Sequence, residues 1–450
     1  AVPMSKWGAN VLGTSPEMID NAEDRNRHSA MLDELGIDQP AWSNMTTIED
    51  AKTFCNKVGY PVLVRPSYVL SGAAMNVVRS EEELKGFLDM AVDVSDDAPV
   101  VISKFLDGAE EIDIDAIADK GEVIAYAIAE HIEQGGIHSG DASLALPARE
   151  LPKDVFLKLK DIAVRIAKRL EITGPFNMQV LRGTDDSLKV IETNVRASRS
   201  LPFSSKVLDV DMAKLATQAI MGFKPQSAIA QCDKQQELPY VGVKVPQFSF
   251  KRLPGADPVL GVEMSSTGEV ACFHPDKYGA YLRALQSTYM RLPVAGETVF
   301  VTLPEARLGQ HRIDKVVASM KTWQACGYVL AAGTADAKAL GAAGVTVQEL
   351  PHELKDGEPR LNSAAVAAFK AGKIKYVLEL SGSTSELMYQ CRRAAIDFSV
   401  PLVTNVEQTV VIGDALQRHG SSEAVVPRGG FQEGDLVELE TYEEVMDLKN

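Results

Sequence analysis

Gln179, Glu192, Asn194 and Arg196 are the residues whose types and spacing most directly suggest chemistry. FNMQVL (176–181) and LKVIETNV (188–195) each alternate in character, and the RGTDDS between them is rich in Gly, Asp and Ser, which predicts a β-hairpin. Strand side chains change face with period two, so Glu192, Asn194 and Arg196 share one face while Ile191, Thr193 and Val195 take the other. On the facing strand Asn177 and Gln179 point together, and in a suitable register Gln179 stands across from Glu192. A carboxylate flanked by amide oxygens is hard-ligand chemistry, suited to Mg²⁺ that also takes oxygens from substrate phosphates. Arg196, Arg199 and Lys206 follow as cations able to neutralise such phosphates. Taken alone, the hairpin is better explained as an ordinary amphipathic pair with a solvated polar face, because Glu-x-Asn arises by chance in many strands.

The elements that must position this hairpin lie mostly upstream. A short strand is expected at Asn10–Leu12, a turn at Gly13–Pro16 and a helix over Glu17–Leu35, with GIDQPAW as a break. Thr46 or Thr47 caps the next helix, which runs to Val58. YPVLVRPSYVLSGAAMNVV reads as strand, loop and strand, with Arg65 at the end of the apolar run. The Ser71–Gly72 loop can bring amides close to an anion, although a structural turn explains it more simply. A helix over Glu81–Val94 follows, and then alternation in EEIDIDAIA sets Glu111, Asp113 and Asp115 on one face. EVIAYAIAEHIEQGGIHSGDASLALP reads as a strand and then a loop holding two histidines, paired glycines and Ser-Gly-Asp. Either histidine alone is more simply structural, but the loop beside an acidic sheet makes a reasonable nucleotide-phosphate wall. Lys153–Leu170 is an amphipathic helix leading into the hairpin, and another helix follows Lys206. Residues 226–292, broken by Pro and Gly, read as a return segment that packs back onto the first domain before a linker near Leu292–Gly296.

The last 150 or so residues change rhythm. ETVFVTL, GYVLAA, GVTVQEL, IKYVLEL and VPLVTN alternate with helical stretches such as Leu308–Cys326, Ser363–Ala371, Ser385–Phe398 and Val406–Gln417. That alternation predicts a doubly wound α/β unit with a parallel sheet, whose ligands bind beyond the carboxyl ends of the strands. Those ends carry Thr334, Ser381, Ser383, Thr384, Ser385 and Asn405. They suit a phosphate or carboxylate ligand, and they suit helix N-capping equally well.

Composition bounds the rest. The 450 residues are long enough for two or three domains, and 45% hydrophobic with 24% charged residues is a globular balance. A formal charge of −16 argues against a sequence-independent nucleic-acid or anionic-membrane binder. No apolar run approaches the ~20 residues of a membrane span. The five cysteines are scattered, with no CxxC pair, which suggests free thiols in a reducing compartment. The chain opens AVPMSKWGANVLG, which reads as a piece of something longer.

Several stretches together carry a family resemblance: GTSPEMIDNAEDR, YPVLVRPSYVLSGAAMNV, EHIEQGGIHSGD, FNMQ with VIETNVRASRSLPFSSK, and LPGADPVLGVEMSSTGEV. They resemble the C-terminal synthetase half of the carbamoyl-phosphate synthetase large subunit, over essentially the whole chain. Biotin-carboxylase-like and D-alanine-ligase-like proteins share the Glu-x-Asn logic but lack the ASRS-x-PF-x-SK and EHIEQ-x-G-x-HSGD wording. The resemblance implies an α+β ATP-grasp domain over 1–292, lacking most of its N-terminal subdomain, and a methylglyoxal-synthase-like regulatory domain over 293–450.

By the same resemblance the first domain binds ATP and Mg²⁺ or Mn²⁺, with K⁺ as a further ion, and phosphorylates carbamate to carbamoyl phosphate. Arg65 then contacts ATP phosphate, Lys104, Phe105 and Leu106 meet the adenine, and Glu111 the ribose. Gly136, Ile137, His138 and Ser139 line the nucleotide, Gln179, Glu192 and Asn194 ligate metal, and Arg196 with Arg199 steadies the anionic substrate or transferred phosphate. Implied partners are a glutamine amidotransferase subunit or domain, the first synthetase half, and a small effector such as a uridine nucleotide or acetylated glutamate, read by Thr334, Ser381, Ser383, Thr384 and Asn405. A homo-oligomer is expected, without nucleic acid or membrane, in the cytoplasm or alternatively the mitochondrion. The sequence departs from the family in three places. It enters at the last strand of an additional α/β subdomain, near VLGTSP; Ala73 stands where bacterial members carry arginine, a eukaryotic-looking variant; and AAGTA with LELSGSTSE replaces richer Thr, Asn and Lys patterns. The rival reading is a nucleotide- or effector-binding fragment that is not catalytic alone. A different ATP-grasp ligase is disfavoured by the full motif set.

Overall fold

The computed structural model describes residues 2–45, 47–66, 75–94, 100–288, 290–351 and 364–420. Thr46, Ala73 and the Ser71–Gly72 loop lie outside them. The chain forms two compact units, residues 1–238 with 261–264, and residues 239–260 with 265–450.

In the first unit a small antiparallel sheet is built from β1 (Trp42–Met45), β2 (Val62–Pro66), β3 (Asn76–Val78) and β4 (Val100–Lys104), in the order β1-β4-β2-β3. The helix Ile48–Val58 starts where Thr47 accepts a hydrogen bond from the Asp50 amide at 3.1 Å, the expected cap. Its Ala51 and Cys55, one turn apart, join Val62, Val64, Val78 and Ile102 in a dry core. The helix Glu81–Val94 forms over the predicted residues.

The larger set of strands comprises β5 (Glu110–Asp119), β6 (Glu122–Gln134), β7 (Leu144–Leu146), β8 (Gly174–Arg182) and β9 (Leu188–Asn194), lying in the order β7-β6-β5-β8-β9. The helix Lys153–Arg169 buries Val155, Phe156, Leu159, Ala163 and Ile166, the apolar stripe its periodicity predicts. Three expectations change here. Asn10–Leu12 is irregular rather than a strand. Asp24, in an extended conformation, splits the expected helix into Pro16–Glu23 and Arg25–Glu34, and its carboxylate caps the second by accepting from the Arg27 amide at 3.0 Å. His131 lies within β6, not in the loop after it.

In the second unit β10 (Val241–Phe248) and β11 (Ser266–His274) pair antiparallel, followed by the helix Lys277–Ser287. These are regular elements where Pro and Gly had suggested an irregular return segment. The parallel sheet is β12 (Thr298–Thr302), β13 (Val329–Ala332), β14 (Val347–Glu349), β15 (Ile374–Glu379) and β16 (Leu402–Val403), in the order β14-β13-β12-β15-β16. Strand order reverses at β12 and β15, the doubly wound arrangement expected, with Phe300, Phe369, Val377, Cys391 and Ala395 in its core. Among the described residues no helix is long and apolar enough to cross a membrane.

Candidate nucleotide and metal site

β8 and β9 pair antiparallel with Gln179 opposite Glu192 and Asn177 opposite Asn194. That register puts the Gln179, Glu192 and Asn194 side chains on one face, as the alternation requires. The Asn194 amide donates to Glu192 Oε1 at 2.7 Å, and Arg196 donates to Asn194 Oδ1 at 3.4 Å. This face opens on a cavity of about 370 Å³ in the first unit, whose walls include Arg65, Lys104, Phe105, Leu106, Glu111 and the run Gly136–Ser139. Of the predicted nucleotide, metal and phosphate residues, Arg199 and Lys206 do not line it; both are exposed.

Each wall has a local cause. Arg65 comes from β2, and burial, with the Arg25 guanidinium beside it, pushes its pKa down to about 9, so it stays charged at neutral pH. Its Nε is buried and has no partner among the described residues, an unspent donor inside the cavity. Lys104 lines the wall, but its ammonium is spent on the carbonyls of Gly59 and Tyr60, each at 3.0 Å. It therefore shapes the wall more than it offers a charge. Gly136 has φ +104°, and a Cβ there would lie 2.7 Å from the Phe105 ring, so only glycine lets these two walls meet. The His138 amide donates to the Gly261 carbonyl at 2.8 Å, and His138 Nδ1 accepts from the Gly140 amide at 3.0 Å.

The acidic face of β5 is buried, not solvated. Burial raises Glu111 to about 7, moderated by His131 and by the Gly136 amide that donates to it. Burial alone would lower His131, yet Glu111 and the Asp113 carboxylate 3.1 Å from its Nε2 hold it above its ordinary value. Asp115 accepts from Ser198 at 2.5 Å, Ser204 at 2.8 Å and the Asn177 amide at 2.9 Å. Those serines bracket the turn after Arg196, so the ASRS and FSS stretches anchor the cationic turn to the sheet beneath it.

A carboxylate and two amide oxygens match the hard-oxygen donor set of Mg²⁺, an arginine stands beside them for phosphate, and the glycine-and-phenylalanine wall leaves flat space next to them. The residues present therefore fit both a divalent ion and a nucleotide. Arg25, not anticipated from the sequence, completes the site: it lines the cavity with Nη2 3.6 Å from Glu192 Oε2. Its only sequence signal is its place in the first turn after the Asp24 cap. Behind the hairpin, His28 Nε2 lies 3.0 Å from Thr193 Oγ1, and burial lowers its pKa to about 4.

In the second unit Thr334, Ser381 and Ser383 line a separate cavity of about 440 Å³, together with Asp336 and Glu305. Thr384 and Asn405 do not line it. Thr384 is exposed, whereas Asn405 is buried and caps the helix Val406–His419 by accepting from the Gln408 amide at 3.0 Å. Ser385 likewise caps the helix Glu386–Asp397. Arg392 donates to Glu379 at 2.7 Å and to the Ser383 carbonyl at 3.0 Å, and grips Asp257 bidentately at 2.7 and 2.6 Å.

Residues 24–226 match the family described as carbamoyl-phosphate synthase L chain, ATP binding domain. The chain carries a carbamoyl-phosphate synthase large-chain ATP binding domain. It is 44% identical over 432 residues to the multifunctional protein pyr-3 of Neurospora crassa, covering 94% of this chain and 23% of that protein. It is also 44% identical over 429 residues to the mitochondrial arginine-specific carbamoyl phosphate synthase large chain of Schizosaccharomyces pombe, covering 93% of this chain and 36% of that one. The chain thus spans well under two thirds of the length of these relatives. The biotin carboxylase domain of the Hydrogenobacter thermophilus 2-oxoglutarate carboxylase, solved with MgADP and bicarbonate, shares the fold with a TM-score of 0.52 at 19% identity, covering 64% of this chain and 70% of that one. The likeness is one of fold, and it is the ATP-grasp fold expected from the sequence.

Proposed function

We propose that this chain carries the carbamate-phosphorylating half of a carbamoyl-phosphate synthase. Carbamate and MgATP give carbamoyl phosphate and MgADP: a carbamate oxygen attacks the γ-phosphorus, the β,γ-bridging bond breaks, and ADP leaves. One observation carries the reading: the Gln179, Glu192 and Asn194 face, the unspent Arg65 donor and the Phe105–Gly136 wall all open on a single cavity. Such a reaction needs positioning and charge stabilisation more than covalent help from the protein.

In this reading Phe105, Leu106 and the backbone of Lys104 hold the adenine, Glu111 accepts from a ribose hydroxyl, and Ile137, His138 and Ser139 flank the phosphates. Gln179, Glu192 and Asn194 hold Mg²⁺ or Mn²⁺, and K⁺ serves as a further ion. A divalent ion held by these three side chains would supply positive charge against that of the phosphates. Arg65 and Arg25 neutralise the phosphates, and Arg196 with Arg199 orients the anionic acceptor. Residues 1–292 form the catalytic domain and 293–450 a methylglyoxal-synthase-like effector domain. The effector, a uridine nucleotide or an acetylated glutamate, binds at Thr334, Ser381 and Ser383, with Thr384 at the rim and Asn405 holding the helix that follows. A glutamine amidotransferase and a first synthetase half supply carbamate to a homo-oligomeric enzyme in the cytoplasm or mitochondrion, and the product enters arginine or pyrimidine synthesis.

The direct test is ADP release from MgATP in ammonium bicarbonate, whose solution equilibrium supplies carbamate. Carbamate-dependent ADP release supports the reading. Tight ATP-analogue binding without it favours a regulatory fragment, a reading that the chain's 23% and 36% share of the relatives' lengths keeps in view.

A further inference from the structure

Three ligating side chains meet in the second unit, away from both cavities described above. His274 is the last residue of β11, Asp276 precedes the helix Lys277–Ser287 as its N-cap, and His419 ends the helix Val406–His419. Their ligand atoms all lie within 4.8 Å of one another, and all three residues are half-buried. His274 Nδ1 is 3.1 Å from Asp276 Oδ2, and His419 Nε2 is 3.0 Å from Asp276 Oδ1.

The two carboxylate oxygens have different duties. Oδ1 accepts from the Tyr278 and Gly279 amides at 2.9 and 3.0 Å, the normal work of an N-cap. No cap bond engages Oδ2, which faces the imidazole. The Asp276 amide donates to the His274 Nδ1 lone pair at 3.3 Å, a long contact that an ion bound at this nitrogen would displace. A carboxylate oxygen and an imidazole lone pair at 3.1 Å repel each other unless positive charge lies beside both. The approach of the ring is also built in. A Cβ at Gly279 would lie 2.3 Å from His274 Nδ1, so any other residue at 279 would drive the imidazole out of the cluster. The His274 and His419 rings pack edge to face with centroids 5.0 Å apart, and Arg418 stacks 4.0 Å over the Tyr278 ring, seating the end of the second helix beside the start of the first.

We propose that His274, Asp276 and His419 bind a late first-row divalent cation of the Zn²⁺ class. Two imidazoles and one carboxylate are the borderline donors such ions select, whereas Mg²⁺ and Ca²⁺ demand oxygen. Bonds of about 2.0–2.2 Å at near-tetrahedral angles set donors roughly 3.3–3.6 Å apart, so the 3.1 and 3.0 Å contacts need to open by only a few tenths of an ångström to admit the ion. Solvent completes the shell of this half-buried site. The ion ties β11 and the starts and ends of two helices together, a staple within the second unit.

The test uses the full chain, stripped with a chelator and titrated with Zn²⁺ against a chromophoric competitor. One equivalent binds, and it raises the melting temperature. Asp276→Asn, which retains an N-capping oxygen, and His419→Gln each weaken binding at least tenfold, on the scale on which metal sites respond to altered ligation. Co²⁺ in place of Zn²⁺ shows no thiolate charge-transfer band, which separates this site from the five free cysteines. Equal Zn²⁺ affinity in the wild type and Asp276→Asn, thiolate bands with Co²⁺, or no binding at all would overturn the proposal and leave a hydrogen-bonded helix cap.

Discussion

Arg25 holds its guanidinium 3.6 Å from Glu192, the carboxylate whose other oxygen accepts from Asn194. The central acid of the hairpin is thus shared between an amide beside it and a cation from a distant helix. A metal ion drawn to Glu192 must share it with Arg25, while phosphates beside the metal gain that cation. Arg25→Met should therefore weaken ATP affinity about tenfold, about 1.4 kcal/mol, without weakening Mn²⁺ binding measured in the absence of nucleotide. Calorimetry of both ligands on the variant checks this; a parallel loss of both would contradict it.

Glu111 makes a pH prediction whose sign is fixed. Its carboxyl, ordinarily near 4.5, is raised by burial to about 7, so between those values the native chain holds a proton that the unfolded chain has released. Stability contributed by this group is highest below pH 4.5 and is lost as pH rises toward 7, by about 3 kcal/mol in all. Glu111→Gln should flatten the fall in urea midpoint between pH 5 and pH 7 relative to wild type. An unchanged slope would show that the burial of Glu111 is not coupled to folding.

Asp115 is a buried anchor for the turn that carries Arg196. Ser204→Ala leaves one of its oxygens without its hydroxyl donor and should cost about 1–2 kcal/mol in urea unfolding. Ser198→Ala frees the turn itself and should lower kcat/KM for ATP by about fivefold with a smaller change in stability, about 1 kcal/mol. Stability and kinetics measured on both variants separate the two roles.

In the second unit the Arg392 and Glu379 side chains are 1% and 2% exposed, so removing one strands the other in a dry site. Arg392→Met should destabilise that unit by about 3–5 kcal/mol. The loop at Ser383 should loosen with it, while ATP affinity stays as in wild type. Hydrogen exchange around 381–385, read beside ATP-analogue calorimetry, tests both halves of the statement.

How much of this was legible in the sequence follows from the range of each interaction. The β8–β9 hairpin and its Gln179–Glu192 register were legible because period-two alternation and a turn are local signals. Arg25 was not, since its contact with Glu192 joins segments far apart in the chain. Alternation marked Glu111, Asp113 and Asp115 as one face, yet it could not say that serines after Arg196 would cover Asp115. β10 hid behind Pro246, which the strand accommodates opposite Glu269. Asn405 carried two equally good sequence readings, and the fold shows the capping bond to Gln408.

If the hairpin face is a phosphoryl-transfer site, this chain makes ATP from carbamoyl phosphate and MgADP, and that reaction, with Glu192→Ala beside it, is the most direct test. The reaction needs neither glutamine nor bicarbonate. Glu192 is a partly exposed strand residue, its side chain 35% accessible, so its loss should leave the melting temperature within a few degrees of wild type. The account predicts ATP from the wild type and none from the folded variant. Equal ATP formation by both would contradict it, and so would failure of both while each still binds MgADP.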